Sequence, residues 1–276
     1  MMGAVLHTVN IRLSPEQILY TINHAEDDVI LINAEFLPTL EAIRDRIEPV
    51  KKLVLLNDAD QPPATSLKID AEYEALLAAS DPHYPFPDFS EDTRATTFYT
   101  TGTTGLPKGV YFSHRQLVLH TFGVLSALAG SGQGHISRDD VYLPITPMFH
   151  VHAWGVPYIA TVMGMKQIYP GRYVPAHLLR LIQREQVTYS HCVPTILQML
   201  LASPVADEVD LSHWKVMIGG SALPQALARQ ARARGADVFT AYGMSETCPI
   251  LTVAQLKPHM LDWDEERQLD IRCKTG

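Results

Sequence analysis

Short apolar runs of strand length alternate with capped, helix-length segments along nearly the whole of this 276-residue chain. That alternation restricts the fold more than any other feature. Ser14-Pro15-Glu16-Gln17 reads as a capping box with proline at the first helical position, and Ile18, Ile22 and Ala25 continue it as an apolar stripe. A strand is expected over 29–32, a helix over 36–47 and a strand over 53–56. Further strands are expected over 95–99, 141–145, 166–169, 187–193, 215–218 and 236–241. Between them, a second capping box at Ser113–Gln116 opens a helix to about Ala129, and helices are expected over 176–185 and 224–234, the last closed by Gly235. Strand–helix alternation of this kind predicts α/β architecture with mostly parallel sheets flanked by helices.

Residues 81–87 carry Pro82, Pro85 and Pro87 and read as a linker. The expected division is therefore a partial α/β subdomain over 1–87 and a larger α/β subdomain over 88–276. Residues 3–9 read as an interior strand without a lead-in, and the sequence stops at Lys274-Thr275-Gly276 inside a charged stretch. Both ends read as cuts within a longer protein. The formal net charge of −8 argues against a nucleic-acid partner, which needs a basic face, but not against an anionic small molecule. Cys192, Cys248 and Cys273 are few and far apart, as expected of reduced thiols in a cytoplasmic protein. No apolar run approaches the ~20 residues of a membrane span, and the first ten residues lack the basic start of a signal peptide.

The densest chemical signal is Thr100-Thr101-Gly102-Thr103-Thr104-Gly105-Leu106-Pro107-Lys108-Gly109, which follows a predicted strand. Three glycines let backbone approach a ligand, four threonines add hydroxyls and Lys108 adds a mobile cation, a combination suited to polyphosphate. It is not a P-loop. That pattern needs glycine directly before the lysine and Ser or Thr directly after it, where this sequence has Pro107 and Gly109.

This loop resembles the phosphate loop of the adenylate-forming superfamily, which includes acyl-CoA synthetases, peptide-synthetase adenylation domains and luciferases. Three further segments occur in that family's order. Gly219-Gly220-Ser221-Ala222, which alone reads as a plain β–α turn, is similar to the segment whose backbone lies against adenine. Tyr242-Gly243-Met244-Ser245-Glu246-Thr247 resembles the family's Tyr-Gly-x-Thr-Glu, with serine where threonine is usual. The resemblance puts Tyr242 near adenine, Ser245 on the α-phosphate, Glu246 on Mg²⁺, Thr247 in the nucleotide site, and Gly243 beside both nucleotide and acid. His150 and His152 alone make an incomplete metal site. Phe149-His150-Val151-His152-Ala153-Trp154 instead resembles the acyl wall of fatty acyl-CoA synthetases, with His150 near the reacting carboxylate and Trp154 as tunnel gate. An ordinary core aromatic is the other reading of Trp154.

GAVLHTVNIRLSPEQI, from Gly3, is similar to an internal segment of medium- and long-chain acyl-CoA synthetases, with Ile11 standing where proline is expected. The resemblance implies the large N-terminal domain of such an enzyme without its C-terminal lid, and hence an incomplete catalyst. The parent activity is that of an acid–thiol ligase. A fatty acid, ATP and Mg²⁺ give acyl-AMP, and coenzyme A takes the acyl group, with Lys108, His150 and Glu246 as the catalytic residues. Peripheral membrane contact and a homodimer stay open. The alternatives are activation of an aryl or amino acid, or a non-catalytic nucleotide-binding fragment.

Overall fold

The computed structural model describes residues 2–101, 105–130 and 132–276. Its compact units divide between His114 and Arg115. The proline-based division at 87/88 falls within the first unit, because the strands after those prolines pair with the N-terminal strand.

The first unit holds two three-stranded sheets. In one, β1 (Leu6–His7) runs parallel to β5 (Arg94–Thr100), which is antiparallel to β6 (Lys108–Ser113). In the other, β2 (Val29–Asn33), β3 (Lys52–Leu56) and β4 (Ala71–Glu72) are parallel. The capping box of α1 (Pro15–Ala25) forms as expected: Gln17 N–H donates to Ser14 Oγ, and Ser14 N–H donates to Gln17 Oε1. The helix expected over 36–47 is shorter. It is α2 (Leu37–Glu41) followed by a 3-10 turn at Arg44–Arg46. Beyond that turn the chain is tied to α1: the Asn23 amide donates to the Arg46 carbonyl and accepts from Glu48 N–H. The interior strand expected over 3–9 is only the two-residue β1, at the edge of its sheet. α3 (Tyr73–Ala79) completes this unit.

The second unit is built on one six-stranded sheet. Its order is β12 (Ile250–Val253), β11 (Asp237–Gly243), β10 (Lys215–Ile218), β9 (Tyr189–Cys192), β7 (Val141–Pro144), β8 (Lys166–Gln167). All pairs are parallel except β11–β12. Successive residues of a strand face opposite ways, so the sheet has two apolar faces. Val216, Ile218 and Val238 pack under α7 (Pro175–Glu185), α8 (Pro194–Leu201), α9 (Gln225–Ala233) and α10 (Glu265–Arg272). Tyr142, Tyr189, Met217 and Phe239 pack on the other side under α4 (His114–Ala129), α6 (Val156–Met163) and Trp154. Helices on both faces of a parallel sheet make this a doubly wound layer. Among the described residues no helix is long and apolar enough to cross a membrane.

The strand order leaves one place on the sheet edge open. From β7 the chain crosses to β8 on one side, whereas β9 leads to β10 on the other. The connections therefore diverge between β7 and β9, which opens a crevice at the carboxyl ends of those strands.

One buried cation ties α10 to this sheet. Arg272, with 3% of its side chain exposed, donates to Asp237 Oδ1 at 2.6 Å and to the Val238 carbonyl at 2.9 Å. Burial pulls the guanidinium pKa down while Asp237 opposes it. Arg272→Ala is expected to cost about 2–3 kcal/mol in urea unfolding, below the ~3–5 of a fully buried pair because Asp237 keeps 27% of its side chain exposed. A midpoint unchanged by the substitution would show that α10 is not anchored through this residue.

Candidate functional site

Three of the sequence motifs end at the same edge of the second unit's sheet. Strand β10 runs out into Gly219-Gly220, β11 ends in Tyr242-Gly243, and the connection after β7 delivers His150 and Trp154. His150, Trp154, Gly219, Gly220, Tyr242, Gly243 and Ser245 line one cavity of about 240 Å³, joined by Val151, Ala241, Met244, Pro249 and Ile250. Tyr242 and His150 are exposed at its mouth, whereas Trp154 is 6% exposed and forms its wall.

The glycines are needed where they stand. A Cβ on Gly243 would lie 2.2 Å from the Pro249 carbonyl oxygen, backbone that cannot step aside. A Cβ on Gly219 would lie 3.0 Å from the Ala241 carbonyl oxygen and 3.1 Å from the Trp154 ring. Side chains at these strand ends would fill the space through which backbone faces the cavity.

The wall itself rests on unusual backbone. Residues Val151 to Trp154 (α5, Val151–Trp154) have φ of 49°, 51°, 50° and 59°, and Gly155 continues at 74°. This is a turn of left-handed helix made by four residues with side chains. Each costs roughly 1–2 kcal/mol relative to the right-handed form. Val151, His152, Ala153 and Trp154 are all buried, so packing fixes a conformation the residues would not choose.

Other predicted residues sit outside this cavity. Ser221 and Ala222 are exposed on the turn before α9, and Glu246 is exposed on the 3-10 turn Ser245–Thr247. Thr247 serves that turn: its Oγ1 accepts from Met244 N–H and reaches the carbonyls of Met244 and Pro249. Thr100, Thr101, Gly105 and Lys108 belong to the first unit, where the loop joins β5 to β6 as a hairpin. Thr100 pairs with Lys108 across the ladder, and the ammonium-bearing side chain is exposed. Gly102, Thr103 and Thr104 lie outside the described residues.

Two histidines that sequence reasoning passed over stand behind the cavity. His191 is fully buried on β9, on the same face as Tyr189, with its ring 5.1 Å from that of Trp154. The Thr146 hydroxyl donates to the His191 carbonyl at 3.2 Å, so at 3.0 Å its oxygen accepts from Nδ1–H; Nε2 then accepts from the Tyr142 hydroxyl at 2.6 Å. The network holds one neutral tautomer. His120, on α4, accepts the Ile250 N–H at Nε2 (3.1 Å), which requires that nitrogen to be unprotonated. Its ring lies 3.1 Å from where a Cβ on Gly155 would be. Burial lowers the pKa of His191 to about 3 and of His120 to about 4.

Comparison with known proteins fits this arrangement. The family model described as AMP-binding enzyme matches residues 1–270. The chain is 40% identical, over its whole length, to a long-chain-fatty-acid–CoA ligase of Thermus thermophilus, covering 49% of that protein. It is 42% identical over 92% of its length to a 3-methylmercaptopropionyl-CoA ligase of Ruegeria pomeroyi, covering 47% of that protein. It thus spans about half the length of the curated relatives it matches. Its fold is similar to that of the anthranilate CoA ligase AuaEII, solved in complex with anthranoyl-AMP. The TM-score is 0.79 at 22% identity, covering 93% of this chain and 49% of that one.

The neutral histidines make stability fall with acid. Both folded pKa values lie below the ordinary 6.5, so the unfolded chain binds more protons between those limits. Their contribution is complete above pH 6.5 and is lost as pH falls toward 4 and 3. Going from pH 7 to pH 5 is expected to remove about 2 kcal/mol for each histidine, at about 1.4 kcal/mol per unit. His191→Gln should remove one share of that slope. Urea midpoints at both pH values test it, and an identical slope in wild type and variant would show that His191 is not held neutral.

Proposed function

The chain belongs to the AMP-binding enzyme family, and from that premise we propose that it supplies the sites for ATP and an aliphatic carboxylic acid in a longer enzyme that joins them as an acyl-adenylate and then passes the acyl group to coenzyme A. The observation that carries this reading is the convergence of three separate motifs on one cavity at the carboxyl ends of β10 and β11, closed by the segment after β7. The names of the 40% and 42% identical relatives support an aliphatic acid.

In this chemistry a carboxylate oxygen attacks the α-phosphorus of ATP, a P–O bond breaks and pyrophosphate leaves. The thiol of coenzyme A then attacks the acyl carbon, gives up its proton, and AMP leaves. The acid is itself the nucleophile, so positioning and charge neutralisation are what the protein supplies. Tyr242 offers a ring face to adenine, and the Gly219–Ala222 backbone offers a flat approach beside it. Ser245 offers a hydroxyl to the α-phosphate, His150 borders the carboxylate, and Trp154 closes the acyl side. The role of Thr100 to Gly105 and Lys108 as binders of the β- and γ-phosphates rests on their motif.

Among the described residues no cluster of three or more His, Cys, Asp or Glu side chains forms a metal cage. A single exposed carboxylate such as Glu246 fits Mg²⁺, which keeps its waters and takes its other ligands from phosphate. The ion supplies neutralisation of the phosphate oxygens. In the full-length enzyme, Glu246→Gln is therefore expected to slow acid-dependent pyrophosphate release by about 30- to 1,000-fold, equivalent to ~2–4 kcal/mol. Release should occur with aliphatic acids in preference to benzoate or amino acids. Mg-ATP binding by the full-length enzyme without pyrophosphate release for any acid would overturn this reading and leave a nucleotide-binding module.

A further inference from the structure

Trp154 does not wall the cavity alone. Its indole is held between two surfaces. On one side its edge meets the β10 strand end, close enough that a Cβ on Gly219 would lie 3.1 Å from Cη2 and 3.2 Å from Cζ3. On the other it lies against the His191 ring, centroids 5.1 Å apart and tilted 40°. His191 in turn cannot turn away cheaply. Both its nitrogens are hydrogen-bonded, to Tyr142 at 2.6 Å and Thr146 at 3.0 Å, and its ring stacks on Tyr142 at 16° with centroids 5.7 Å apart. Rotating it would strand three buried polar groups. Behind the pair, Tyr142, Tyr189 and Met217 are wholly buried, so the indole has packed side chains rather than empty space at its back. The left-handed backbone under Trp154 also fixes where the side chain starts. The cavity that remains, about 240 Å³, is below the ~300–1,000 Å³ usual for small-molecule sites.

We propose that His191 is a specificity-setting positioning residue that buttresses Trp154 across the acyl side of the cavity, so that the site favours short aliphatic acids over long ones. This rests on the reading of that cavity as an acyl-adenylate site. His191 touches neither substrate nor reacting atoms; it acts through the indole. A longer chain must displace Trp154 toward a ring locked by two hydrogen bonds. Each methylene of an acyl chain that fits a pocket gains roughly 10-fold or more. A rigid wall removes that gain beyond the length it admits.

The test uses a series of non-hydrolysable acyl-sulfamoyl adenosines with saturated chains of four to twelve carbons, titrated calorimetrically into the 276-residue chain. Wild type is expected to bind the four-carbon probe more tightly than the twelve-carbon probe. In His191→Ala the ratio of the two dissociation constants should shift at least ~10-fold toward the longer chain, because the indole gains room to move. His191→Gln keeps bulk and a hydrogen-bond partner for Tyr142, so it should stay within about 3-fold of the wild-type ratio. Tyr142→Phe removes one tether and should shift the ratio in the same direction as His191→Ala by a smaller factor. It also carries the test if the alanine variant does not fold. General loss of structure weakens every probe alike and leaves the ratio unchanged. An unchanged ratio in every folded variant, or a wild type that prefers the twelve-carbon probe, overturns the role of His191. Failure of wild type to bind any of the probes overturns the acyl-adenylate reading of the cavity instead.

Discussion

Five parallel strands in the second unit point the same way, and each must be followed by a turn at its carboxyl end before the chain can return for the next. All such turns therefore fall on one edge of the sheet, and that edge is where backbone N–H and C=O groups run out of ladder partners. The crossing directions then decide which part of the edge stays open. Because β7 and β9 send their connections opposite ways, helices cover the flanks and leave the space between them free. The same ordering brings Gly219, Tyr242 and Trp154, which are far apart in sequence, to one cavity. Burial on both faces of the sheet, through Val216 and Ile218 on one side and Met217 on the other, is what holds the strand ends in register.

On that scaffold the left-handed turn at Val151–Trp154 is the costly element. Four residues with side chains in that conformation oppose folding by roughly 4–8 kcal/mol. Burying Val151 and Trp154 recovers about 1.5–3 kcal/mol for each. His120 adds to this, packing where Gly155 has no Cβ and holding the start of β12 through Ile250 N–H. A cavity wall made this way cannot drift continuously. It is fixed by a core that either closes around the turn or does not form, which suits a surface that must present an indole at one place.

Much of the fold could be read from the sequence because local signals agreed with global ones. The Ser14–Gln17 capping box, the apolar run at 29–32 and the paired glycines after Ile218 each act over a few residues and are honoured in the structure. What was not legible depends on distant partners. Nothing in Val-His-Ala-Trp favours positive φ; only Gly155 hints at it. The helix expected from Phe36 ends early, and the residues after it are instead tied to Asn23 on another helix. Strand β6 was hidden because Lys108 and Gly109 read as ligand-binding residues before they read as a hairpin arm. His191 stands between Ser190 and Cys192 and carries no local signal. Its meaning comes from Tyr142 and Thr146, more than forty residues upstream.

The thiols bear on the same chemistry. Cys248 directly precedes Pro249, which lines the cavity, and is the cysteine best placed to receive an acyl group. Burial pushes its pKa up to about 12, and that of Cys192 likewise to about 12. At neutral pH the reactive thiolate is then roughly one part in 10⁵ of either. A backbone hydrogen bond from Leu197, in the first turn of α8, lowers the Cys192 value less than burial raises it, and the Cys248 sulfur faces the Gln116 carbonyl oxygen at 3.8 Å. Under the proposed chemistry the acyl acceptor must arrive from solution, with its thiol deprotonated outside the buried region that keeps Cys248 protonated, which is the demand a diffusing thiol such as coenzyme A meets and a resident cysteine does not.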